Sequence, residues 1–318
     1  MQKETFEPLL KERSSRASLT AGFRLYTGNF RRIFKATWLV ALIASLISGV
    51  GATVSIVWWP ELIAKMFSDL PHAYMYADQY FTLLIILCAF ILLSVLDTAI
   101  FGGYAAALLK QHQEGGAILP QQYHLHWEGS MVWQSIKTWF WCGLISLLLC
   151  GAVSAFVYWK REMLFDPMHN IVSVVAVIVM TIIVCVVMVP LAYPAVKYLM
   201  NEKTSFWPLL VKRFGTSMRY WGRQFVVLLV CAILLGLLYI IASLPEIIIC
   251  QANSEARFGV IGGDPLGMPS YITALTCVTC TLGSFMQLYI ALPALFCLYY
   301  MYGSIDTRED NKNKSIKE

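Results

Sequence analysis

Six apolar runs constrain the fold of this chain more than any other feature of its sequence. They cover residues 36–59, 80–109, 138–159, 171–196, 225–250 and 271–302. A helix crosses the roughly 30 Å hydrocarbon core of a bilayer with about 20 apolar residues, and each run reaches that length. Lipid admits only helices and closed barrels, and the runs lack the alternation of a barrel strand. The sequence therefore predicts an all-α membrane protein with six transmembrane helices.

The composition excludes a soluble globular protein. Hydrophobic residues make up 58% of the 318 residues and charged residues only 14%, whereas a soluble domain carries about 25% charged residues. We predict three parts: a basic amphipathic cytoplasmic lead-in over 1–35, a six-span membrane domain over 36–302 and a polar cytoplasmic tail over 303–318.

Basic residues gather on one side of the predicted membrane. Of the 24 Lys and Arg residues, four fall in the first, third and fifth connections between spans: Lys65, Lys160, Arg161 and Arg257. By the positive-inside rule, both termini are predicted to be cytoplasmic, in the cytoplasmic (inner) membrane. The basic excess thus favours topology and attraction to anionic lipids of the cytoplasmic leaflet over nucleic-acid binding. A further membrane protein is an additional candidate partner.

The spans read as three helical hairpins, each with an amphipathic interfacial helix on its cytoplasmic side. The clearest apolar stripe recurs at intervals of four and three: Trp207, Val211, Phe214, Met218, Trp221 and Phe225. Leu19, Phe23, Tyr26, Phe30 and Ile33 repeat this rhythm, and Leu125, Val132, Ile136 and Trp139 repeat it more weakly. Interfacial helices bring guanidinium and ammonium groups to lipid headgroups. Anchoring of the bundle is the alternative role for the candidate anionic-lipid contacts, which are Arg24, Arg31, Arg32, Lys212, Arg213, Arg219 and Arg223.

Two short segments carry a family resemblance. The first runs from Gly22-Phe23-Arg24-Leu25-Tyr26 through Asn29-Phe30-Arg31-Arg32, and the second is Val189-Pro190-Leu191-Ala192-Tyr193-Pro194. In these segments the chain resembles the membrane domain of bacterial glycerophosphodiester phosphodiesterases and its stand-alone multi-span relatives. The resemblance implies a membrane architecture. It carries no catalytic residue across, because the hydrolase of fused members is a separate barrel of about 250 residues, for which this chain has no room.

Two carboxylates fall inside the predicted spans. A charge at mid-bilayer costs at least about 2.5 kcal/mol, so Asp97 and Glu246 are candidate functional groups. One hypothesis makes Asp97 a proton or cation site with Thr98 or the Gln287 amide as its partner. The alternative makes it a carboxyl that links helices, with Glu246 reaching water on the outer side. Depth counting separates Asp97 from Glu246, so contact between them is not expected.

No motif for catalysis, a metal or a cofactor stands out. The nine cysteines lie in or at the ends of apolar runs, where they act as small hydrophobes, and the five histidines lie in predicted loops. We therefore expect no cofactor and no enzymatic activity. The leading hypothesis is a non-enzymatic envelope accessory or lipid-interacting bundle. The alternatives are a small-molecule or ion transporter using Asp97 and, third, an intramembrane enzyme.

Overall fold

The computed structural model describes residues 9–68, 76–115, 129–159, 179–180, 182, 184, 186–201, 205–263, 269 and 271–315. Within these ranges the regular structure is entirely helical. The elements are α1 (Ser15–Ser68), α2 (Ala77–Gly115), α3 (Gly129–Trp159), a 3₁₀ turn (Val189–Leu191), α4 (Ala192–Met200), α5 (Phe206–Arg219), α6 (Trp221–Ile261) and α7 (Ile272–Ser315). The all-helical prediction is confirmed.

Five of these helices, α1, α2, α3, α6 and α7, are long and apolar enough to cross a membrane. In the most apolar window of α2 and of α6 only 11% is buried, and in that of α3 only 6%. Large apolar side chains such as Leu92 and Leu147 are each 70% exposed. Such surfaces are compatible with a membrane, because soluble proteins rarely expose contiguous apolar patches of this kind.

The fourth predicted span, 171–196, lies largely outside the described residues. Its described end forms a shorter apolar helix, Val186–Met200, which includes the 3₁₀ turn at Pro190 and α4. A proline fixes its own φ and lacks an N–H, so Pro190 suits the first turn of this segment.

The first predicted interfacial lead-in is not a separate helix. It is continuous with the first span in α1, whose 54 residues extend over about 80 Å. Leu19, Tyr26 and Ile33 are buried at 9%, 7% and 0% exposure, so this apolar stripe packs against protein. Helical periodicity shows that an apolar face is covered but not whether lipid or protein covers it, and here the segment continues into the first predicted span without a break. In α3, too, the described part of the lead-in runs into the span, while Leu125 lies outside the described residues.

The chain divides into two compact units. Unit 1 comprises Met1–Phe30, Gly103–Cys231 and Ala294–Glu318, and unit 2 comprises Arg31–Gly102 and Ala232–Pro293. Unit 1 thus joins both ends of the chain to its middle, and it holds α3, α4 and α5 whole.

Aromatic residues fill the core of unit 1. Tyr193, Phe296, Tyr299 and Tyr300 are almost completely buried. The Tyr26 and Phe296 rings meet edge to face with centroids 5.5 Å apart. A phenol packs like a hydrocarbon but keeps one hydroxyl that needs a partner. This core is therefore mostly apolar, with polar atoms at the tyrosine hydroxyls.

In unit 2, hydroxyl and amide groups link neighbouring helices. The Thr37 and Tyr289 hydroxyls lie 3.1 Å apart, and Ser48 donates to Ser94 at 3.2 Å. The Asn253 amide donates to the Ile56 carbonyl at 2.6 Å. Small residues and interhelical hydrogen bonds are the usual means of association where lipid removes the hydrophobic driving force.

Candidate functional site

Helix α5 has three distinct sides. Phe206, Leu209 and Leu210 are buried in a cluster with Leu191 and Tyr198. The predicted stripe lies on a second side, where Trp207, Val211 and Met218 are 45%, 74% and 40% exposed. Lys212 and Arg219 lie on the third side, and both are exposed. One apolar side thus anchors α5 to the protein, and a second apolar side lies next to exposed positive charge.

A buried polar corner fixes the direction of α5. The helix ends at Arg219, and α6 begins at Trp221. Across the break, the Gln224 amide donates to the Ser217 carbonyl at 2.8 Å, and Ser217 Oγ contacts the Pro190 carbonyl. Gln224 Oε1 accepts from the Tyr193 N–H at 3.3 Å, which satisfies a donor in the first turn of α4. The corner therefore couples α5, α6 and the turn before α4.

Arg219 and Arg223, both predicted lipid contacts, are bonded to the protein itself. The Arg219 guanidinium pairs with Glu309 at 3.1 Å, and Arg223 donates to the Arg13 carbonyl at 3.3 Å. Burial, and then the hydrogen bond with Glu309, raise the pKa of the Tyr220 phenol above its usual value. Arg219 keeps about half of its side chain exposed, so the pairing does not remove it from the surface.

The other predicted basic contacts differ in exposure. Arg24, Arg31 and Lys212 are exposed, and Arg32 and Arg213 are half-buried. Arg213 is close enough to the Tyr193 and Tyr302 phenols to act on them electrostatically. The exposed part of the basic set therefore lies on α1 and α5.

The end of α7 holds charges that sequence reasoning placed in a polar tail. Helix α7 continues to Ser315, and Glu309 is only 7% exposed. Lys197 forms an ion pair with Asp306, whose carboxylate also accepts from the Tyr193 hydroxyl at 2.9 Å. The signal that could have found this pair is Lys197 itself, a lone cation in an otherwise apolar stretch that needs a counter-charge.

The N-terminal segment is bound to the same end of α7. The Arg13 N–H donates to Ser304 Oγ at 2.9 Å, and the Ser304 hydroxyl donates back to the Arg13 carbonyl at 3.0 Å. The Arg13 guanidinium lies 4.8 Å from the centre of the Tyr300 ring. Arg13 and Ser304, which are 291 positions apart in the chain, are therefore held together within unit 1.

Asp97 of α2 is half-buried, on a side of the helix that contacts protein. Ser94, on the same side, bonds to α1, and Phe101 meets the Tyr289 ring edge to face at 5.6 Å. Neither predicted partner donates to Asp97: Thr98 donates to the Ser94 carbonyl, and the Gln287 amide donates to Glu246. Its Oδ2 atom is buried and accepts no hydrogen bond from the described residues.

Glu246 and Gln287 meet between α6 and α7. The Gln287 amide donates to the two carboxylate oxygens at 3.4 and 3.3 Å. Gly283 leaves room for this carboxylate, because a Cβ at that position would collide with it. The sequence suggests Gln287 as a partner of Asp97. It does not reveal the Glu246 contact, because the register of one helix against another depends on side-chain packing along both helices.

No protein-family model matches the chain, and neither a curated protein nor a solved structure is significantly similar to it. The predicted resemblance to glycerophosphodiester phosphodiesterase membrane domains therefore stays a prediction. Among the described residues, no three His, Cys, Asp or Glu side chains converge as metal ligands would. The features with functional potential are accordingly the geometry of α5 and the polar groups within the predicted spans.

Proposed function

We propose that this chain is a non-enzymatic, six-span protein of the cytoplasmic membrane, an envelope accessory bundle that holds anionic lipid on its cytoplasmic side. The observation that carries the proposal is the three-sided α5. Its exposed apolar stripe of Trp207, Val211 and Met218 suits acyl chains. The exposed Lys212 and Arg219 suit phosphate headgroups at the boundary of those chains.

The distribution of basic residues supports the proposed orientation. Four of the 24 Lys and Arg residues fall in the connections assigned to the outer side, and the positive-inside rule counts these residues rather than net charge. Exposed cations such as Arg31 and Lys212 lie in segments assigned to the cytoplasm, where anionic lipid attracts them.

Lipid copurification tests the proposal. The protein is extracted from a membrane of known composition, and bound phospholipids are measured by mass spectrometry. One cation near an anionic surface contributes about 1 kcal/mol, so Lys212→Gln should weaken anionic-lipid association about fivefold. Lys312→Gln, which removes an exposed charge from the end of α7, is the matched control and should have a much smaller effect. Equal anionic and zwitterionic lipid content in the unsubstituted protein would contradict the proposal.

A transporter is the second candidate, and the buried Asp97 Oδ2 without a hydrogen-bond donor favours it. Such an atom is unfavourable unless it binds a proton or a cation for part of the time. The test uses proteoliposomes with an internal pH-sensitive dye and an imposed pH gradient. Asp97→Asn should abolish proton flux, whereas Asp78→Asn, exposed in the first turn of the same helix, should leave it intact. Flux that survives in a correctly folded Asp97→Asn protein would rule out this function.

A further inference from the structure

A cleft of about 740 Å³ opens in unit 1 between α3, α4 and the start of α5. Its size falls within the range of pockets that enclose small organic ligands. It shares Trp207 with the exposed stripe of α5, on which the proposed function rests, but the basic residues Lys212 and Arg219 do not line it. Two features of its lining, an aromatic wall and a pair of polar groups one helical turn apart, define what it can bind.

Aromatic rings form the apolar wall of the cleft. Trp141 stacks on Phe206 with ring planes 9° apart, and it meets Trp207 edge to face with centroids 5.0 Å apart. Trp133 and Phe140 are 56% and 60% exposed and border the same space. Trp rings at a helix end are typical of the membrane interface, where they contact the upper parts of acyl chains.

Gln134 and Lys137 are two of the polar residues that line the cleft, together with Ser130, Tyr198 and Ser205. Gln134 is 7% exposed, and its Oε1 accepts no hydrogen bond from the described residues. This oxygen lies beneath the cleft surface, so it reaches a ligand when the Gln134 side chain turns toward the cleft, and a ligand that brings a donor stabilises that position. Lys137, three residues further on, is exposed and holds its ammonium group 5.3 Å from the centre of the Trp133 ring. The cleft therefore offers a cation and a buried hydrogen-bond acceptor beside an apolar wall.

We propose that this cleft is a specific site for one anionic phospholipid whose headgroup carries hydroxyl groups, of the phosphatidylglycerol type. The phosphate binds Lys137, a headgroup hydroxyl donates to Gln134 Oε1, and an acyl chain lies along Trp133 and Phe140. An amine headgroup could also donate to Gln134, but its positive charge would lie close to Lys137. The inference rests on the proposed function for its membrane setting, and it adds a lipid class and a site.

Three lipids with the same acyl chains separate the two polar contributions. Phosphatidylglycerol is anionic with headgroup hydroxyls, phosphatidylmethanol is anionic without them, and phosphatidylcholine is zwitterionic. Binding of each to the full chain in detergent is measured by native mass spectrometry as the fraction of protein with one retained lipid. We expect phosphatidylglycerol to bind about three- to tenfold more tightly than phosphatidylmethanol, the range of a single net hydrogen bond.

Each variant should erase one preference. Gln134→Met keeps the side-chain length but removes the acceptor, so the preference for phosphatidylglycerol over phosphatidylmethanol should disappear. Lys137→Gln should erase the preference for either anionic lipid over phosphatidylcholine. Lys35→Gln, at an exposed lysine of α1 outside the cleft, should leave both preferences unchanged.

Because Gln134 is buried, a second variant protects the test against misfolding. Ser205 lines the cleft at the start of α5, and its side chain makes no capping hydrogen bond. Ser205→Phe should therefore occupy part of the cleft, with the helix intact by circular dichroism, and weaken retention of the single lipid.

The outcomes separate this inference from the proposed function. Equal binding of phosphatidylglycerol and phosphatidylmethanol would overturn the inference, as would preferences that survive Lys137→Gln or lipid retention that Ser205→Phe leaves unchanged. If Lys212→Gln still lowered total anionic lipid in that case, the proposed function would stand alone. The absence of any anionic preference in the unsubstituted protein would overturn both.

Discussion

Gly22 and Gly28 are a matched pair on α1 that tests the packing of unit 1. A Cβ built on Gly22 would lie 2.6 Å from Cys297 Cα and 2.7 Å from Cys297 N. These are backbone atoms, so no side-chain rotation relieves the clash, and the two helices must move apart. A Cβ on Gly28 would meet no atom within 4 Å.

Gly22→Ala and Gly28→Ala should therefore change the free energy of unfolding in opposite directions. Overpacking at Gly22 should destabilise the fold by about 1–3 kcal/mol. Gly28→Ala should stabilise it by about 0.5–1 kcal/mol, because Ala is the better helix former. The expected difference between the variants is thus about 1.5–4 kcal/mol.

Thermal unfolding of both variants in the same detergent, followed by size-exclusion fluorescence, measures this difference. At about 2 °C per kcal/mol for a chain of this size, the Gly22→Ala midpoint should fall at least about 3 °C below that of Gly28→Ala. Equal midpoints, or a lower midpoint for Gly28→Ala, would refute the close approach of α1 to Cys297.

Three further substitutions test other contacts. Val211→Asn should destabilise the protein by about 1–2 kcal/mol in nanodiscs, because in the proposed orientation lipid covers the exposed three quarters of the Val211 side chain. Substitutions on a water-facing surface usually change stability by less than about 0.5 kcal/mol, so a change of that size would place this side of α5 in water. Arg219→Gln should lower stability by about 1 kcal/mol, measured by thermal unfolding at low salt, because it leaves the buried Glu309 without its guanidinium partner; an effect that is the same in 1 M salt would exclude an electrostatic cause. Gly283→Ala should displace the Glu246 carboxylate, detected as a loss of stability at pH 7 that Glu246→Ala in the same chain removes.

Local sequence predicted local structure well. The 4-3 stripe from Trp207 to Phe225 predicted one interfacial helix; α5 forms its first part, Phe206–Arg219, as a separate element, and Trp221 and Phe225 lie on α6. The same rhythm at Leu19 and Tyr26 predicted a second interfacial helix, but α1 runs through it without a break. The difference between the two lies in the break at Tyr220, which is fixed by contacts of Ser217 and Gln224 with each other and with residues around Pro190. Such contacts lie beyond any local pattern.

For the candidate polar groups, too, the sequence predicted the residues themselves but not their contacts with distant parts of the chain. Asp97 and Glu246 could be identified from the sequence because carboxylates are rare in apolar runs. Their partners could not, because the register of one helix against another depends on side-chain packing along both. The pairing of Glu246 with Gln287 requires that residue 283 be a glycine, because a Cβ there would collide with the Glu246 carboxylate. The cleft escaped sequence reasoning altogether, since Gln134 and Trp207 are far apart in the chain.

The attachment of the N-terminal segment to α7 has a consequence for biosynthesis. The hydrogen bonds between Arg13 and Ser304 join residues 291 positions apart. At about 5–20 residues per second, a ribosome needs about 15–60 s to make the chain between them. Unit 1 therefore cannot close until the last helix has been synthesised, and its N-terminal segment remains without Ser304 throughout that interval. A chain that stops before α7 should accumulate as an incomplete intermediate with this segment open to proteolysis.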